Sequence, residues 1–271
     1  MCIRDSLEAS LTKQVSDSRL GTSYFTLAYT YGHGIDDASG FRNRDSQVPY
    51  YNIGQFRASS DFDLTQRITL SGGWDLPFDR FGGPKRLVKG WSLYPIFSWR
   101  TGFPLSISSG LPVTNTSDPG PSGAGDGYLA NAVFVPGVSH ITLMNPKSQG
   151  TSCINPVTGV METGNLYFGC DAFTPILDTP GSGYGLPRDF FRGPGRTNFD
   201  LALAKTTFIT ERVNAEFRVE AFNLFNHAEF ANPDTNINSS TFGQITSTTF
   251  GSGVNALQTQ RILQLALRLT F

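Results

Sequence analysis

A chain of 271 residues with a net charge of −1 offers no basic footprint, which disfavours nucleic acid as a partner. Charged residues make up 16%, against roughly 25% in ordinary soluble domains, and aromatic residues reach 13% with 22 Phe, so much of the surface is expected to face something other than water. No stretch approaches the roughly 20 apolar residues of a membrane-spanning helix, so any membrane crossing must use strands.

The opening residues, MCIRDSLEAS, have neither the basic start nor the apolar core of an export signal. Residues 1–6 are read as a non-native leader and left out of the fold, with the true N-terminus expected upstream. Leu7, Ala9 and Leu11 then begin a series of rows with period two, the mark of strands with one greasy and one wet face. Phe25, Leu27, Tyr29 and Tyr31 oppose Thr22, Tyr24, Thr26, Ala28 and Thr30. Ile68, Leu70, Trp74, Leu76 and Phe78 oppose Arg67, Thr69, Ser71 and Asp75. A longer row, Trp91, Leu93, Phe97, Trp99, Phe103 and Leu105, opposes Ser92, Tyr94, Ser98, Arg100 and Ser106, although Pro95 and Pro104 each remove a ladder donor. Phe199, Leu201 and Leu203 alternate with Asn198, Asp200, Ala202 and Ala204 in a strand ending near Thr206. Val213, Ala215, Phe217, Val219 and Ala221 alternate with Arg212, Asn214, Glu216, Arg218 and Glu220. The last row, Leu263, Leu265, Leu267, Leu269 and Phe271, opposes Gln264, Ala266, Arg268 and Thr270. The chain is therefore predicted to be all-β.

The connections alternate in length. Short ones cover 15–21, 79–90 and 207–210, and long ones cover about 32–65, 108–197 and 225–260. That asymmetry fits an antiparallel transmembrane β-barrel in the bacterial outer membrane, with tight periplasmic turns and long external loops. Phe78, Trp91, Phe208 and Phe271 gather at the short-turn side, where an interfacial girdle needs aromatics. In this reading Arg67, Asp75, Arg100, Arg212, Glu216, Arg218, Glu220 and Arg268 face the lumen, and their mixed signs give no preference for anions or cations. A soluble β-sandwich is the alternative, since its strands alternate too. Seven antiparallel strands cannot close on themselves, although 242–249 could supply another. The expectation is an open, curved sheet of roughly seven to ten strands from a larger barrel.

Candidate chemistry is sparse. Cys2 lies in the leader, while Cys153 and Cys170 share one long loop, where a disulfide would suit an oxidising compartment and two unpaired thiols are the alternative. The Gly34–Asp37 acidic pair and the Asp61/Asp63 pair could hold a hard cation or simply solvate their loops. His33, His140 and His227 lack the i, i+4 spacing of a zinc pair, and no G-x-S-x-G elbow occurs. No metal, cofactor or catalytic role is expected.

Several segments carry a family signature: DFFRGPGRTNFDLALAKTTFITERVNAEFRVEAFNLFNHAEFANPDT from Asp189 onward, the closing QRILQLALRLTF, and earlier YTYGHGIDDASG, ITLSGGWDLPF and GWSLYPIFSWRTGFPLSI. Together they resemble the C-terminal portion of TonB-dependent receptors, especially the type with an N-terminal carboxypeptidase-regulatory-like domain. The matches spread over most of residues 7–271 but leave much of 108–187 unsupported. The resemblance implies a plugged, 22-stranded class of barrel. It also implies coupling to the TonB system through an upstream plug domain, and external loops that capture a siderophore, oligosaccharide or peptide. Leu267, Leu269 and above all Phe271 resemble the terminal signal read by the barrel-assembly machinery. In EAFNLFNH, Phe222, Leu224 and Phe225 are expected to pack at a strand end while Asn223 and Asn226 turn the chain.

Overall fold

The computed structural model describes residues 3–37, 39, 57–112, 129–145, 151–175, 185–211, 213–248 and 260–271. Seven long strands dominate it: β1 Ile3–Ser18, β2 Gly21–Asp36, β3 Gln66–Leu76, β4 Trp91–Arg100, β5 Arg196–Phe208, β6 Asn214–Phe222 and β7 Ile262–Thr270. They pair antiparallel in chain order, and the two-residue strand Ala58–Ser59 extends the upper end of β2. Among the described residues β1 pairs only with β2 and β7 only with β6, so the sheet is open. β1 begins at Ile3, not Leu7: residues 3–6 pair with 32–35 because β2 offers its backbone ladder that far, whatever side chains lie opposite.

Residues paired across antiparallel strands share a face, so the register reads out each surface. Leu11 pairs with Leu27, Leu27 with Leu70, Leu70 with Phe97, and Phe97 with Phe199, one apolar row across five strands. It continues through Leu201 opposite Ala221 and Val219 opposite Leu265. Leu263, Leu265 and Leu267 are 65–68% exposed, and no second sheet among the described residues covers this face. A soluble sandwich would bury such a face.

Pro95 is accommodated within β4. The ladder from β3 runs to Ser71 opposite Ile96 and resumes at Trp74 opposite Leu93, so the proline falls where no donor is needed. The intervening Gly73 lies under Tyr24, whose ring would be 2.6 Å from any added Cβ. The strand stops at Arg100, and the apolar row expected to continue to Leu105 leaves the sheet at 101–103. There Gly102 presses on the backbone of Gly193, with a hypothetical Cβ 1.8 Å from its carbonyl oxygen, and Pro104–Leu105 pairs instead with Phe191–Arg192. Of the possible strand at 242–249, the described part forms none. Phe242 makes an isolated bridge to Asp234 and is fully buried, while Thr249 lies outside the described residues.

At one end of the sheet the connections are 19–20, 77–90 and 209–213. At the other, the described parts of the long segments 101–195 and 223–261 fold together into a cap. Hairpins Thr151–Ile154 with Met161–Gly164 and Val133–Phe134 with Phe173–Thr174 belong to it, as do bridges from Ser108 to Asn236 and from Leu166 to Gln244. Phe168 sits at its centre, edge-on to Phe173, Phe191 and Phe242 at 5.3–5.6 Å between ring centroids. Such edge-to-face packing orients the rings beyond what area burial alone would achieve. Among the described residues nearly all the fully buried apolar side chains lie in this cap and few in the sheet.

Candidate functional site

The polar face of the wall is continuous. Thr22 pairs with Asp75, Asp75 with Ser92, and Thr30 with Arg67, while across the other half Glu216 pairs with Arg268 and Glu220 with Gln264. Arg67, Asp75, Glu216, Arg218, Glu220 and Arg268 thus share one surface, opposite the leucines of β7. Arg212 lies outside the described residues. Local pairs hold several of these groups: Ser92 donates to Asp75 at 2.6 Å, Arg218 contacts Glu220 at 2.7 Å, and the Arg218 guanidinium stands 5.5 Å from the Tyr94 ring centroid. Leu267 and Leu269 lie on the apolar face, and Phe271 follows β7 almost fully exposed.

Where β2 and β3 meet the cap, acidic residues that sequence reasoning left to solvent or a cation are held by arginines. Arg188, with only 4% of its side chain exposed, pairs with Asp36 and also donates to Asp36 O at 3.0 Å, Ser39 Oγ at 2.8 Å and Asp61 Oδ1 at 3.4 Å. Arg192 pairs with Asp63 and donates to the carbonyls of Asp63 and Gly102 at 3.0 and 3.1 Å. Asp63 also accepts from the Gly34 amide at 2.8 Å and lies 3.2 Å from His33 Nδ1. Burial would raise the Asp63 pKa, but the Gly34 and Arg192 hydrogen bonds outweigh it and hold the carboxyl below its usual range. No group of three or more metal-ligating side chains occurs among the described residues. The arginines stand more than a hundred positions from their partners, which no local spacing could reveal.

Cys153 and Cys170 are joined in a disulfide with Cα atoms 5.8 Å apart, tying the 151–164 hairpin to the segment that carries Phe168 and Phe173. Asn155 secures the same hairpin by donating to Glu162 at 2.7 Å and to the Ile237 carbonyl at 2.9 Å. In EAFNLFNH, β6 ends at Phe222, Asn223 and Asn226 take positive φ of 48° and 51°, and Phe225 lies on Phe199 at 5.3 Å. The His227 amide and carbonyl bind the Asn223 side chain at 2.9 Å, a turn device that leaves the residue a structural part.

The chain matches the family model described as the outer membrane beta barrel domain over residues 4–264. It belongs to that family. Comparison with curated proteins and with solved structures gave no match. The protein is therefore an outer-membrane β-barrel.

Asp189 is expected to make the contact between residues 57–63 and the cap sensitive to pH. It adopts φ 55°, accepts from Ser106 Oγ at 3.1 Å, and its pKa is pushed up to about 7 by burial and by the neighbouring Asp61 carboxyl. A carboxyl raised in the folded state contributes stability fully present below the unfolded value of 3.8, and that stability is lost as pH rises toward about 7. The contact of residues 57–63 with the cap should therefore be weaker at pH 8 than at pH 5, with the loss complete by about pH 7. Hydrogen exchange at the Gly34 amide, corrected for intrinsic rate, measures this. Asp189→Asn, which tolerates the same φ, should remove the dependence; an unchanged pH profile in that variant would assign the effect elsewhere.

Proposed function

We propose that the chain forms part of the wall and outer mouth of a TonB-dependent receptor, an energy-coupled transporter and not an enzyme. The observation that carries this reading is the cap. A passive pore needs an unobstructed mouth, whereas a receptor needs ordered external loops that present a fixed surface to a ligand. The resemblance of the segments from Asp189 onward, and of YTYGHGIDDASG and ITLSGGWDLPF, supports it. On this reading further strands complete a wide barrel and a plug domain fills it. The TonB system drives release of the captured siderophore, oligosaccharide or peptide.

The experiment is electrical and chemical together. The whole protein, reconstituted in a planar bilayer, should show no steady conductance, because the plug occupies the pore, and in cells it should crosslink to TonB. A constitutive ohmic channel without a TonB crosslink would establish a passive porin instead, and an adhesion barrel would show neither.

A further inference from the structure

The lumen-facing charges are mixed when counted together, but the register sorts them. Arg67 is the second residue of β3, Arg100 closes β4 and Arg196 opens β5, and the pairing sets Arg67 opposite Arg100 and Arg100 opposite Arg196. The three share the polar face at the external end of the wall, immediately beneath the cap. Neighbouring strands lie about 4.8 Å apart, so the row spans roughly 10 Å. Like charges placed directly opposite one another across strands destabilise a sheet.

The rest of the mouth is neutralised where charge serves structure. Arg188 is matched by Asp36 and Asp61, Arg192 by Asp63, and Arg218 by Glu220. No ion pair among the described residues engages Arg67, Arg100 or Arg196. The nearby carboxylate of Glu229 accepts the Thr197 amide at 2.8 Å and lies 3.6 Å from His227 Nδ1. The Arg100 guanidinium also rests 4.5 Å from the centroid of the Phe103 ring, which orients its plane.

We propose that Arg67, Arg100 and Arg196 form a binding row for a solute carrying two or more oxyanion groups, carboxylate or phosphate, within roughly 10 Å. Guanidinium forks match both kinds of oxygen pair, and several adjacent forks select a polyvalent anion over a monovalent one. The row is the first lumen surface reached past the cap, so it receives what the external loops admit. The inference builds on the transport reading by naming a substrate class, but its test needs no energy coupling.

The purified whole protein is titrated calorimetrically with citrate and, separately, with inorganic phosphate, against sodium chloride at equal ionic strength. Saturable binding of citrate is expected, with phosphate weaker and chloride silent. Arg100→Gln should weaken citrate binding about tenfold or more, and Arg196→Lys, which keeps the charge but loses the fork, should weaken it less. Arg100→Gln should also raise thermal stability in the absence of anion, because it relieves the central repulsion. That gain separates lost binding from lost folding. Three results would overturn the proposal: equal heats for chloride and citrate, citrate affinity unchanged in Arg100→Gln, or a loss of anion-free stability in that variant, which would mean that a protein carboxylate already occupies the row. Citrate binding in a protein that fails to crosslink TonB would leave this row standing and remove the energy-coupled reading alone.

Discussion

Arg188→Ala should release the end of β2 and residues 57–63 from the cap. The substitution removes the ion pair to the buried Asp36 carboxylate and the hydrogen bond to the Asp36 carbonyl, with the contacts to Ser39 and Asp61, and leaves the carboxylate the Ser39 hydroxyl. Leaving a buried charge without its partner costs about 3–5 kcal/mol, far more than the pair itself stabilises. A combined Asp36→Asn and Arg188→Met variant should therefore be milder than Arg188→Ala alone, since the Asp36 charge is then removed together with its partner. Hydrogen exchange at Gly34 and Ser60 reads the result: both amides are hydrogen-bonded within the docked loop, Gly34 to Asp63 and Ser60 to the Gly34 carbonyl. Exchange slower in the single variant than in the double would contradict the argument. If Arg188→Ala left exchange unchanged, the clamp would have no part in holding the loop.

The wall was legible in the sequence because strand faces obey a local rule. The row Leu263 to Leu269 announces its two surfaces without reference to any other strand, and its pairing with β6 only confirms which surface is which. Boundaries were less legible. The apolar row through Phe103 and Leu105 suggested an unbroken strand, and only the contact between Gly102 and Gly193, 91 positions apart, shows why it stops. The cap was not legible at all. Its core draws Ile107, Phe168, Phe191 and Phe242 from two long segments, with single side chains or isolated bridges where a strand would give periodicity. Arg196 was missed for a similar reason: it extends β5 beyond the apolar row that marked the strand, so its place beside Arg100 exists only in the register. Long-range pairing of this kind carries no signature in a window of a dozen residues, whereas alternation does.

The same alternation sets the second large effect. Leu265→Arg places a guanidinium on the apolar face opposite Val219, in the middle of β7, where lipid replaces water. Such a substitution at the midplane costs about 2–4 kcal/mol, because the charge must be desolvated or must drag headgroups and water into the hydrocarbon. Gln264→Arg, one position earlier, lands on the polar face opposite Glu220, where it meets water and a carboxylate. The two variants differ by one residue and by the side of the sheet, so composition and strand propensity cancel in the comparison. The inserted fraction, read by heat-modifiable gel mobility, should fall for Leu265→Arg and stay near the parent for Gln264→Arg. Repeating the pair one step along, with Leu267→Arg against Arg268→Leu, tests whether the penalty tracks the face or the added charge. Arg268→Leu should cost little, since Glu216 opposite it then faces the lumen water. Equal tolerance at Leu265 and Gln264 would mean that this face does not meet lipid, and the assignment of the two surfaces would fall with it.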